Sequence, residues 1–282
     1  MFAGSGCQLG SFPGREKAMT MIPPVAAPLR TTNRWARSLT PADPLKWLTQ
    51  GWRDFMIRPS MSLAYGIVIL LISVTFVGGL IALGWDYILF PTFAGFMVVG
   101  PFLAIGLYEK SRRIEAGLPL QWRNLFFVKP RSGGQILFTG VLLCLLMMVW
   151  MRAAVIIYAL FFGLLPFPGL NGIVPMLFST RVGWAMLAVG TAVGGLFAAF
   201  SFAISAFSIP MLLEERIDAL TAMGSSMALV WNNLRVLLIW AAIVLGLFLV
   251  SLATGMLGLA VIFPLLGHAT WHAYRAVQPE AG

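Results

Sequence analysis

Two histidines, His268 and His272, are the only ones in a chain of 282 residues, and they stand four positions apart. On a helix that spacing puts both imidazoles on one face, within reach of a common metal ion. Two ligands do not complete a metal site, so any further donors must come from elsewhere in the chain. Three carboxylates are placed to supply them. The triplets Pro101-Phe102-Leu103, Pro210-Met211-Leu212 and Pro264-Leu265-Leu266 recur in three apolar stretches. Eight residues beyond each proline stands a protonatable group: Glu109, Asp218 and His272. Four residues beyond stand Ile105, Glu214 and His268. A common membrane depth for the three prolines would gather Glu109, Glu214, Asp218, His268 and His272 into one polar cluster. Carboxylates beside imidazoles raise the histidine pKa and make a proton relay or a divalent-cation site. The alternative is a set of separate interfacial residues, each neutralised by Lys110, Arg112, Arg216 or Arg275. Trp271 and Tyr274, beside the histidines, suit that second reading as interfacial anchors.

Arg152 is the remaining candidate, because a charge inside an apolar run is a functional hypothesis in a membrane. Its expected partner is Asp86, the only acid predicted on that side of the bilayer. The alternative is an arginine that snorkels to the interface. Phosphate-binding glycine loops, nucleophile elbows and zinc motifs are all missing from the sequence, so no enzyme is expected. No cofactor is expected either, beyond a metal at His268 and His272. Cys7 lies in the N-terminal tail and Cys144 in an apolar run, an arrangement that suits no disulfide framework.

The elements that must position these groups follow from composition. Hydrophobic residues make up 59% of the chain and charged ones 10%, with a mean hydropathy of +0.88. A surface so poor in charge faces lipid, and lipid admits only helices or a closed barrel. The apolar runs are continuous and exceed the roughly 20 residues a spanning helix needs. The fold class is therefore all-α: a polytopic membrane protein of about six transmembrane helices. The spans are Met61–Gly84, Ile88–Tyr108, 136–165 (interrupted by Arg152), the run between Arg181 and Glu214, and a hairpin within the run between Arg235 and Arg275. That last run is uncharged and too long for one span, so it should turn near Thr254 and Gly255. Asp43-Pro44 reads as a cap followed by proline at the first helical position. It opens an in-plane helix with Leu45, Leu48, Trp52, Phe55 and Met56 on its apolar face. Residues 118–130 and 219–233 repeat this before later spans, so the chain reads as three copies of amphipathic helix plus transmembrane hairpin.

The net charge of +9 would suggest nucleic acid in a soluble protein. Here it reads as the positive-inside bias, with both termini cytoplasmic and no nucleic acid as partner. The expected partners are the lipid bilayer and another membrane protein complex. Residues 1–40, rich in Gly, Pro and Ala without the apolar core of a secretory signal, read as a disordered cytoplasmic tail. Residues 41–277 form the membrane domain, and 278–282 a short C-terminal tail.

Three stretches carry a resemblance: ADPLKWLTQGWRDF (Ala42–Phe55), VGPFLAIGLYEKSRRIEAG (Val99–Gly117) and FPLLGHATWHAYRAV (Phe263–Val277). They resemble a family of predicted bacterial integral membrane proteins of unknown function, sometimes labelled cytochrome c oxidase subunit I-like. The resemblance implies a bacterial inner-membrane location and brings no catalytic residues. A haem-copper oxidase core needs several ligand histidines, and two cannot supply them. The sequence leaves three function classes: a non-enzymatic accessory or assembly factor first, a small-solute or ion permease second, and a membrane enzyme or metal-handling protein third.

Overall fold

A computed structural model describes residues 33, 35–163, 165 and 167–278, with the side chains at 86, 170 and 171 left out. Contacts group the chain into residues 1–33 and 34–282. All of the described helices lie in the second unit. Both predicted tails fall largely outside the described residues, except that Asn33, Trp35 to Thr40 and Gln278 are described.

The fold is all-α, with no strand among the described residues. Five helical stretches are long and apolar enough to cross a membrane: Pro59–Ala82, Leu89–Glu115, Gly133–Phe162, Arg181–Glu214 and Leu234–Ala253. In chain order we label these α2, α3–α4 (Leu89–Leu103 and Ile105–Glu115), α6, α8–α9 (Arg181–Ser205 and Ser208–Glu214) and α11. The predicted sixth, α12 (Leu259–Val277), is helical and follows α11 after a turn at Thr254 and Gly255. Gly255 and Met256 both have positive φ there, and Gly258 N–H donates to Thr254 Oγ1. α12 lacks the uniform apolarity of the others because its second half carries His268, His272 and Arg275. That half is wrapped by protein: α1 (Asp43–Met56), α2 and α4 all pack on it.

A short helix precedes each hairpin: α1 before α2, α5 (Trp122–Phe126) before α6, and α10 (Ala219–Asn232) before α11. The expected element order is thus present three times. Packing does not follow it, since α2 lies chiefly on α12, and α3 on α6. Each proline disturbs its helix differently. Pro101 sits inside α3 just before the break at Ala104. There Leu107 N–H bonds Ala104 O, which frees Leu103 O to accept from the Tyr65 hydroxyl at 2.7 Å. Pro210 follows the break at Phe207, where Ser226 Oγ accepts from Phe207 N–H and donates to Ala203 O. Pro264 leaves α12 unbroken, but it has no N–H for Ala260 O, and α2 approaches that carbonyl at Gly66. A neighbouring helix supplies a hydroxyl at the first two sites, as hydrocarbon requires, and packs closely on the third.

Four expectations need correction. Ala42, not Asp43, is the N-cap of α1. Asp43 is its first residue and accepts from Thr40 N–H and the Lys46 ammonium. The Lys46 ammonium beside it holds the Asp43 carboxyl below the usual range. The packed face of α1 carries Trp47, Gly51, Asp54 and Phe55, because it meets α12, while Leu45, Trp52 and Met56 face outward. Only Trp122–Phe126 is helical within 118–130. Trp271 and Tyr274 are fully buried rather than interfacial. The sequence reading also passed over α7 (Gly169–Ser179), which Thr180 separates from α8 while capping it through Gly183 N–H.

Candidate functional site

The polar half of α12 is where the candidate residues meet the rest of the chain. His268 is wholly buried, with Ser62 Oγ of α2 at 2.8 Å from Nε2 and Ser111 Oγ of α4 at 2.8 Å from Nδ1. Lys110, also of α4, is buried and directs its ammonium at Ser62 Oγ (2.7 Å), Asp54 O (3.1 Å) and Arg58 O (3.4 Å). Three donors thus find three acceptors, the full capacity of an ammonium. One of those acceptors, Asp54 O, is in the last turn of α1, where a cation complements the orphan carbonyls and the helix dipole, and another, Arg58 O, lies at the corner between α1 and α2. Lys110 is a C-terminal cap supplied from another helix.

Directionality follows from this. Ser62 Oγ receives the Lys110 proton, and His268 Nε2 is the only acceptor for its own hydroxyl proton among the described residues. Nε2 then presents a lone pair, the ring proton sits on Nδ1, and it points at Ser111 Oγ. The chain Lys110–Ser62–His268–Ser111 ties α2, α4 and α12 together with a neutral imidazole at its centre.

One turn along, His272 Nε2 lies 2.9 Å from Asp54 Oδ2, which joins α12 to α1. Next comes Arg275, bonded to Glu115 at 3.0 Å and Glu214 at 3.3 Å. Trp271 Nε1 donates to Glu115 Oε2, and the Tyr274 hydroxyl to Glu215 Oε1. Glu109 is buried and clasped by Arg112 and Arg113. Asp218 is exposed and caps α10 by accepting from Thr221 N–H; the Thr221 side chain, and then its backbone, hold the Asp218 carboxyl below the usual range. His272 and Arg275 also border an open groove of about 450 Å³ with Asp43, Lys46, Trp47 and Gln50.

The structure therefore brings His272 against a carboxylate of α1, Asp54, rather than one of the candidates Glu109, Glu214 or Asp218. Glu109 and Glu214 are held by arginines, and Asp218 stands apart as a cap. The signal for Asp54 was its position on α1: residues 47, 51, 54 and 55 form one stripe around the small Gly51, whose Cα side lies against the Ala269 backbone. Among the described residues, no three His, Cys, Asp or Glu side chains gather as a metal site. Arg152 is exposed in an unbroken α6, about 28 Å from the helix start, close to the thickness of the hydrocarbon layer. The side chain of Asp86, its expected partner, lies outside the described residues.

Residues 89–214 match a family model described as a predicted integral membrane protein, DUF2189. The chain is similar to DUF2189 from the second span through the fourth. That region contains the Val99–Gly117 stretch with Glu109, Lys110 and Ser111, so it holds the α4 side of the polar network. The other two stretches that carried the resemblance, 42–55 and 263–277, lie outside the DUF2189 match. No curated protein and no solved structure matches the chain.

Proposed function

We propose that this integral membrane protein is a non-enzymatic accessory or assembly factor for another complex of the bacterial inner membrane. One observation carries the reading. The buried ionisable groups on α12 and its neighbours are bonded to one another across helices, from Lys110 and His268 to Asp54 and His272. They are linkers of a scaffold rather than groups aimed at a substrate. The membrane-depth face of α8 suits contact with another helix. Ala188, Ala192, Gly195 and Ala199 are exposed along it, and such small residues permit close helix approach. In mild detergent the protein should migrate with a partner complex, and A192L/G195L should release it as a folded monomer. Migration as a free monomer from native membranes refutes this reading.

A second reading, a small-solute or ion permease, is favoured by the buried chain Lys110–Ser62–His268–Ser111. Proton-coupled flux in liposomes, lost in His268→Gln, would establish it against the first. Both readings place the basic end in the cytoplasm, following the distribution of Lys and Arg. Alkaline phosphatase fused after Arg275 should then be inactive, and fused near Asn171 active. The reverse pattern would overturn the orientation.

A further inference from the structure

At the Lys/Arg-rich end, each described carboxylate is already engaged. Asp43 pairs with Lys46, Asp54 with His272, and Glu109 with Arg112 and Arg113. Glu115 and Glu214 share Arg275, Glu215 binds Tyr274 and Gln278, and Asp218 caps α10. Several cations are left without an acid among the described residues. Three of them, Arg53, Arg58 and Arg123, stand close to one junction. Arg58 Nη1 donates to Leu120 O at 2.8 Å, joining the α1–α2 corner to the segment that leads into α5. Phe126 of α5 stacks on Tyr65 of α2 at 5.6 Å, which fixes that segment at the mouth of the first span.

The same junction exposes large aromatic and apolar groups. Trp52 is 44% exposed, Trp122 49% and Phe127 74%. Uncompensated arginines beside outward tryptophans at the end of a spanning helix have the chemistry of the headgroup layer. The rings sit among glycerol and upper acyl carbons, and the guanidiniums meet phosphate.

We propose that the junction of α1, α2 and α5 is a binding site for anionic phospholipid headgroups of the adjacent leaflet. Arg53, Arg58 and Arg123 supply the charge, and Trp52, Trp122 and Phe127 the interfacial seat. The arginine fork takes a phosphate by paired N–H donors, and the fixed Arg58–Leu120 bond holds the two halves of the site together.

The test uses the full chain in micelles holding equal amounts of phosphatidylglycerol and phosphatidylcholine. After gel filtration, the retained phospholipids are quantified. The wild type should retain phosphatidylglycerol in excess. Each cation near an anionic surface contributes about a factor of five in partitioning. R53Q/R123Q, which spares the Arg58 hydrogen bond, should therefore lower the ratio about tenfold or more. R216Q/R235Q removes the same charge at two exposed arginines elsewhere on this end and should leave the ratio unchanged. R53K/R123K should keep most of the preference. Equal retention of both lipids by the wild type overturns the proposal, and so does an equal fall in both double glutamine variants. Displacement of the bound lipid by excess inorganic phosphate would also overturn it, because the site would then take a free anion. Circular dichroism confirms that each variant remains helical.

Discussion

Gly66→Val unseats α2 from α12 and should cost the fold more than about 3 kcal/mol, the upper range for an overpacked interior. A Cβ built on Gly66 would lie 2.1 Å from Ala260 O and 2.8 Å from Pro264 Cγ. The first is a backbone atom of a continuous helix, and it cannot swing aside as a side chain could. It is also the carbonyl that Pro264 leaves without an intrahelical donor, so separating the helices exposes it to hydrocarbon. Even Gly66→Ala should be strongly destabilising. Gly78→Ala on the same helix is the internal control, since nothing lies within 4 Å of its added Cβ. It should be neutral or stabilising by up to about 1 kcal/mol, the helix-propensity gain of alanine over glycine. Thermal loss of the monodisperse gel-filtration peak reads both. Equal behaviour of G66A and G78A would refute the close approach of α2 and α12.

His268→Ala is expected to be the most damaging polar substitution, at about 3 kcal/mol. It removes the acceptor of Ser62 and the partner of Ser111, and it opens a cavity at a fully buried site. A buried polar group without a partner costs about 1–3 kcal/mol, and large-to-small changes add a cavity contribution. Ser62→Ala alone should cost less, because Lys110 keeps two carbonyl acceptors. A double-mutant cycle on Ser62 and His268 should return a coupling of about 0.5–1.5 kcal/mol, the range for contacting residues and for hydrogen bonds within a membrane. Additive losses would mean that the two side chains do not bond.

Much of the membrane fold was legible because hydrocarbon imposes simple demands. Long apolar runs, only that of α6 interrupted by a charge at Arg152, predict the positions of α2, α6, α8 and α11, and glycine after threonine marks the final turn. The α12 polar half was legible as chemistry but not as structure. Its residues look interfacial when only their polarity is read. They are buried because α1 and α4 carry complementary groups, which no local pattern reveals. Asp54 and Lys110 show the same difficulty from the other side. Each reads as a solvated charge in its own helix, and each acquires its partner from more than 50 residues away. The protein-packed stripe of α1 was missed for a related reason. Leu45, Trp52 and Met56 are the obvious stripe, but a membrane surface offers them a favourable environment, which leaves Gly51 and Asp54 to make the protein contact. The proline offsets did mark real irregularities, although Tyr65 of α2 meets the first, Ser226 of α10 the second, and only the close approach of Gly66 the third.

The seat of α1 and α2 on α12 joins residues separated by 206 and 218 positions. At about 5–20 residues per second, synthesis leaves an interval of roughly 10–40 s between the two sides of that contact. Throughout it, the first span carries a serine and an open glycine notch with no imidazole or carbonyl to meet them. The nascent protein is thus a set of inserted but unlocked helices until its final helix arrives. A frameshift or early stop after α11 would leave nearly every apolar span intact and the fold unfastened, a lesion that membrane insertion alone would not detect.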